Sequence, residues 1–283
     1  MCDYAGNMAN QTPHRGTGTN AVHEKLATAH FLDSVFWSES GLQLPVGNVP
    51  LSQDILDYIE DPWQVAEQWF RETSPWLPIL SIKHFTSHVL QPLHALSADV
   101  LLLLACMKVM AWAPSGETNP RTFSYTAAKR SLFEAETLGM LSITMLQAMI
   151  ILNLYEIAHA IYPAAYLSVG ACARYGMALG VDRPNQVDLN GRELSLLEQE
   201  GRRRAWWVIV ILDRYVNLSC PHRSLSTKDP EPEDLLPIDD QPWERAIVDP
   251  QQMFTAASPA DIRMGSFARL AQSTYLLSRV LSW

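Results

Sequence analysis

Apolar residues recur every three or four positions along this chain, in blocks separated by proline and glycine. That period places them on one face of an α-helix. The first block opens at Ser52, which stands where a helix cap belongs, and predicts a helix through Ile59. Pro62 occupies the first turn of a second helix reaching about Glu72, with Val65, Trp69 and Phe70 on one side. Pro75 and Pro78 break the chain, and Ile82, Phe85 and Val89 predict a helix from Ser81 to about Gln91. Asp99–Trp112 is apolar nearly all round, the pattern of a central buried helix. Thr122–Gly139 is amphipathic, with Ala127, Leu132, Ala135 and Leu138 expected toward the core. Ser142 opens a helix carrying Leu146, Ile150, Leu154 and Ile157; Pro163 opens the next, which Leu179-Gly180 stops. A long helix is predicted from about Leu194 to Leu218, then a proline-rich acidic loop, then a last helix from Pro259. Strand signals are nearly absent. The expected fold class is therefore all-α, a multi-helix bundle whose consecutive helices pack antiparallel.

Residues 1–50 lack this organisation. They are expected to form a flexible or weakly structured segment, with Phe31, Val35, Phe36 and Trp37 as a candidate short helix, and residues 51–283 form the helical domain. The N-terminus has no apolar core of a secretory signal. The longest apolar run, Val100–Ala113, is interrupted by Lys108 and is shorter than the roughly 20 residues a membrane span needs. A soluble, intracellular protein is the expectation.

Composition narrows the chemistry. Hydrophobic residues make up 48% of the 283, ordinary for a globular chain. The formal net charge of −9 disfavours direct binding to a phosphate backbone, which depends on cation density. Cys2, Cys106, Cys172 and Cys220 are scattered, so neither a disulfide framework nor a zinc site is read from them.

The most informative stretch is Glu198–Leu225, EQEGRRRAWWVIVILDRYVNLSCPHRSL. Glu198 and Arg202 are four apart, as are Glu200 and Arg204, the favourable order for helix ion pairs. Eight apolar residues then follow without interruption, Ala205–Leu212, so this helix is expected to be enclosed on most sides. Asp213 and Arg214 end the run. A buried charge without a partner costs several kcal/mol, so Asp213 should accept from nearby backbone donors or from Arg174, Arg203 or Arg223.

Arg202-Arg203-Arg204-Ala205-Trp206-Trp207, followed by Leu212-Asp213-Arg214, resembles the central motif of the fungal-specific regulatory domain of zinc binuclear-cluster transcription factors. Further segments resemble that family in the same order. They are Ser74–Leu80 with Phe85, Leu146-Gln147-Ala148, Gly170–Arg174 with Ala178–Arg183, and Leu236-Pro237 with Asp239-Asp240 and Trp243. The resemblance covers about residues 55–283. Two positions depart from it: Cys220-Pro221-His222-Arg223-Ser224 stands where the family has Gly-Arg-Pro, and Asp182 replaces a common histidine. The six-cysteine module that would hold two zinc ions is not found in residues 1–50, and the domain is expected to be truncated at its C-terminus.

The resemblance implies a nuclear transcription regulator and not an enzyme. Arg174, Arg202, Arg203, Arg204, Trp206, Trp207, Asp213 and Arg214 would be its structural and regulatory motif. It implies control of a metabolic or secondary-metabolite gene set through protein partners, a homo- or heterodimer, or a small-molecule effector. DNA would be contacted only indirectly, with no membrane association, and no cofactor belongs to this chain, zinc being a property of the cysteine module. The alternatives are a helical scaffold or dimerisation subunit, and a helical enzyme with an unrecognised site. Against the enzyme, His23-Glu24 and His30 lack metalloprotease spacing, and no phosphate loop, dinucleotide fingerprint or nucleophile elbow occurs. Asp239-Asp240 with Glu244 lies between prolines, in a predicted loop unsuited to clamping a metal-bound diphosphate.

Overall fold

The computed structural model describes residues 49–90, 95–114, 119–183, 187–188, 191–218 and 223–281. The expectations for residues 1–48, and for the altered turn at 219–222, lie outside the described residues. The described residues form helices with no strand, only two isolated bridges, Val187 to Glu193 and Leu235 to Thr255.

The helices are α1 (Gln53–Ile59), α2 (Pro62–Glu72), α3 (Ile82–His84), α4 (Ala98–Met110), α5 (Phe123–Thr137), α6 (Ile143–Ala158), α7 (Ala164–Ala178), α8 (Leu196–Asn217), α9 (Asp240–Glu244) and α10 (Ser266–Leu281). Their starts follow ordinary capping chemistry. Asp61 accepts from the amides of Trp63 and Gln64, Thr122 from Tyr125, and Ser142 from Met145. Ser52 holds the cap position of α1, but its side chain makes no capping bond.

The core is built on α4 and α6. Leu102–Cys106 of α4 and Met145, Leu146, Ala148, Ile150 and Ile151 of α6 are inaccessible to solvent. The N-terminal ends of these two helices meet where Ser142 Oγ donates to Asp99 Oδ2 (2.7 Å), and their C-terminal ends meet at Trp112 and Tyr155. They therefore run parallel, with α5 as the crossover between them. Consecutive helices α6 and α7 are antiparallel, as predicted: Ser142 meets Tyr175 and Asn153 meets Ala165. Helices α7 and α8 are antiparallel too, since Arg202 donates to the Leu179 carbonyl while Gly176 faces Trp206 and Ile209. Helix α10 packs on α8 and runs parallel to it, the long intervening loop having reversed the chain. Helices α1, α2 and α5 cover the other side of α4.

Several boundaries differ from expectation for local reasons. The helix predicted over 81–91 is one α-turn followed by a π-helical turn, Phe85–Val89. There Thr86 turns its hydroxyl back to the Ile82 and Lys83 carbonyls, competing with the α-helical ladder. The buried stripe of α5 is Tyr125, Ala128, Leu132 and Ala135, so Leu138 is exposed instead of packed, and Ala127 is half-buried. Leu154 and Ile157 of α6 are likewise half-buried. The last helix begins at Ser266, not Pro259. Its start is set by Asp240, whose Oδ2 accepts from the Phe267 amide, and by Gly265, where a side chain would stand 3.0 Å from Asp239 Oδ1.

Candidate functional site

Ser195 and Glu198 form a reciprocal capping box at the start of α8. Glu198 is drawn to this cap and to Arg192 (2.7 Å), so the predicted Glu198–Arg202 pair does not form, and Arg202 donates to the Leu179 carbonyl at the end of α7 (3.1 Å). Arg192, with the Ser195 amide and hydroxyl, holds the Glu198 carboxyl down at about 2. Burial lowers the affinity of Arg202 for its proton.

Two residues further on, the second predicted pair does form, and it is entirely enclosed. Glu200 and Arg204 are both 0% exposed, with Arg204 Nε 2.8 Å from Glu200 Oε1. Arg203 reaches the other oxygen of Glu200. The remaining Arg204 donors leave the helix: Nη1 bonds the Pro78 carbonyl and Asp240 Oδ1 (3.0 Å each), and Nη2 bonds the Ile238 carbonyl (2.7 Å). Glu200 also accepts from the Ile238 amide (2.9 Å). The guanidinium lies against the rings of Trp243 and Phe267. Every charge here is answered by another, as burial demands.

Ten residues along α8, or about 15 Å at 1.5 Å per residue, a second buried cluster repeats the arrangement. Asp213 accepts from the backbone amides of Ser226 (2.9 Å) and Thr227 (2.8 Å), from the Thr227 hydroxyl, and from Arg214 (3.1 Å). Arg214 in turn donates to Ser278 Oγ on α10, the Lys228 carbonyl and Asp229 Oδ1. Backbone donors were among the predicted partners of Asp213, but the arginine is its own neighbour. Arg174 lies exposed on α7, Arg203 is committed to Glu200, and Arg223 stacks over Tyr166. Between the clusters Trp207 donates its indole N–H to the Leu235 carbonyl (2.9 Å), whereas Trp206 packs half-buried against Gly176.

The site is thus a strap, residues 226–240, clamped along α8 by Arg204, Trp207 and Arg214. Asp239 and Asp240, read as loop residues, stand at the start of α9, where Asp240 joins Arg204 to the first turn of α10. Every segment quoted for the family resemblance meets another. Gln147 holds the Ile79 carbonyl while Arg204 holds that of Pro78, Arg202 holds the end of α7, and Arg204 and Trp207 hold the acidic loop. Among the described residues the buried Trp243 indole N–H and Asp182 Oδ1 have no hydrogen-bond partner, while the arginine and carbonyl contacts tie the segments together, an arrangement suited to transmitting a change in packing.

A third buried charge gives only a weak sequence signal. Glu156, fully enclosed on α6, receives the Tyr125 hydroxyl (2.8 Å) and the Lys129 ammonium (2.9 Å). An acid inside the apolar run of Leu152-Asn153-Leu154-Tyr155-Glu156-Ile157 is its only mark. Burial pushes the Cys172 thiol up to about 12 and that of Cys106 well above its usual range. Among the described residues no group of three or more histidine, cysteine or acidic side chains is placed to hold a metal ion, and no helix is long and apolar enough to cross a membrane.

The family described as fungal specific transcription factor domain matches residues 66–282. The transcription factor BOA15 of Botryotinia fuckeliana is 34% identical over 176 residues, 62% of this chain and 98% of the relative. Transcription factor tazR of Aspergillus terreus is 29% identical over 161 residues, 54% of this chain but 25% of its own length. The arabinolytic transcriptional activator araR of Emericella nidulans is 45% identical over 51 residues, 18% of this chain and 6% of its own. No solved structure matches.

Proposed function

Because the chain belongs to the fungal specific transcription factor domain family, we propose that it is the helical regulatory part of a nuclear transcription regulator, governing a metabolic or secondary-metabolite gene set and contacting DNA only indirectly. The observation that carries this reading is the family match over 66–282 taken with the clamped strap on α8. The printed name of one relative, an arabinolytic transcriptional activator, supports a metabolic target. The net charge of −9 supports indirect contact with DNA. Leu270, Leu276 and Val280, exposed on α10, support protein partners. A small-molecule effector would act by preferring one packing of the strap over another, since a ligand shifts a population only by its differential affinity.

The test is tethering. Fused to an unrelated DNA-binding module in a fungal host, the chain should raise or lower transcription of a reporter carrying that module's site. The untethered chain should leave the reporter alone and show no sequence-specific DNA binding at physiological salt. A folded, nuclear fusion with no effect on the reporter would overturn the proposal.

A further inference from the structure

Among the described residues, Glu156 is the fully buried acid whose ion-pair partner is most exposed. Among the described residues its ion-pair contact is Lys129, whose side chain keeps 41% of its exposure while Glu156 keeps none. By contrast, Asp213 is paired with the fully buried Arg214, and Glu200 with the fully buried Arg204 and with Arg203, which keeps 15%. Lys129 Nζ also lies 2.6 Å from Ser168 Oγ, so one ammonium joins α5, α6 and α7. The other Glu156 partners are neutral: the Tyr125 hydroxyl and, at 3.5 Å, the Asn153 amide.

We propose that Lys129 is a modification site, and that its Nζ-acylation by a thioester donor of the acyl-coenzyme A class loosens the packing of α5 against α6 and α7. The Lys129 ammonium first gives its proton to solvent. The amine nitrogen attacks the thioester carbonyl, the new C–N bond forms as the C–S bond breaks, and the thiolate leaves and takes up a proton. The product amide has no charge. It is also larger than the ammonium that fitted between Glu156 and Ser168. Glu156 is then a fully buried carboxyl without its counter-charge, which destabilises the junction of the three helices. Arginine could not serve this purpose, since its guanidinium is neither deprotonated nor acylated under these conditions. The inference stands on this ion pair alone and does not depend on the transcriptional reading.

The experiment treats the folded chain with N-hydroxysuccinimidyl acetate, maps the products by mass spectrometry and follows thermal unfolding. Lys129→Arg, Lys129→Gln, Glu156→Gln and Lys129→Gln/Glu156→Gln are compared with the unaltered chain. Acetylation should reach Lys129 and lower the melting midpoint by about 5–10 °C, and Lys129→Gln should reproduce that loss. Lys129→Arg should resist it, and Glu156→Gln should restore most of what Lys129→Gln removes. Failure of Lys129 to react in the folded chain overturns the proposal. So does acetylated Lys129 with an unchanged midpoint, or a double variant whose loss is the sum of the two single ones. Where Lys129→Gln does not fold, acetylation of the folded chain set against Lys129→Arg decides the matter.

Discussion

At the scale of single residues, Arg204 and Arg214 matter for the number of acceptors that converge on them. A guanidinium presents five donors in a fixed fork, and here carboxylates and backbone carbonyls surround it. Truncating Arg204 leaves the buried Glu200 with only Arg203 as its counter-charge and strips the Pro78 and Ile238 carbonyls of their donor. Arg204→Ala is therefore expected to lower the unfolding free energy by about 3–5 kcal/mol, and Arg204→Lys to recover less than half of that. Urea unfolding measures both; a loss below about 1 kcal/mol for Arg204→Ala would show the cluster to be dispensable. Asp213→Ala should cost a similar amount, because it strips the Ser226 and Thr227 amides of their acceptor. Glu198 gives a prediction in pH. Its carboxyl is held at about 2, chiefly by Arg192, against an ordinary 4.5. A depressed carboxyl contributes stability that is fully present above 4.5 and lost as the pH falls toward 2. Arg192→Met should flatten the fall of the melting midpoint between those two values. An unchanged acid limb would refute the coupling.

At the scale of elements, α8 shows how far local rules reach. Its start is a capping box, and Ser195→Ala should cost about 0.5–2 kcal/mol in a thermal or urea melt, with Ser195→Gly costing less. Most helices were legible because they begin at Asp, Ser or Thr caps and end at proline or glycine; Gly180, at φ 69°, closes α7 where the sequence placed the stop. The enclosed body of α8 was legible from its unbroken apolar run. What the pattern could not supply was phase and partner. The α5 stripe is displaced because Tyr125 counts as a core residue: its ring is buried while its hydroxyl serves Glu156. Asp213 does accept from the expected backbone donors, but its arginine, Arg214, is not among those the pattern suggests, because adjacent residues on a helix ordinarily point apart and only the incoming Ser226–Asp229 segment brings Arg214 and Asp213 onto common acceptors and donors. The start of α10 could not be read locally at all, since Asp240, 27 residues away, fixes it.

At the scale of the whole molecule, the clamps divide the bundle into a scaffold and a cover. The scaffold is α4 and α6 with α7, held by apolar side chains at close to zero exposure. The cover is the strap with α9 and α10, and its main hold on the scaffold runs through α8. Polar clamps of this kind reinforce one another, because each released carbonyl or carboxylate raises the cost of the rest. The cover should therefore open as a unit before the scaffold unfolds. In native-state hydrogen exchange, the amides of residues 226–240 and of α10 should share a lower opening free energy than those of α4 and α6. Weakening one clamp by about 3 kcal/mol, as in Arg214→Met, should speed exchange in the cover by roughly a hundredfold, a factor of ten for each 1.4 kcal/mol. Exchange in α4 should stay at its unaltered rate. A uniform increase through the whole bundle would mean that α8 joins one indivisible core, and that no packing change can pass along the strap while the scaffold stands.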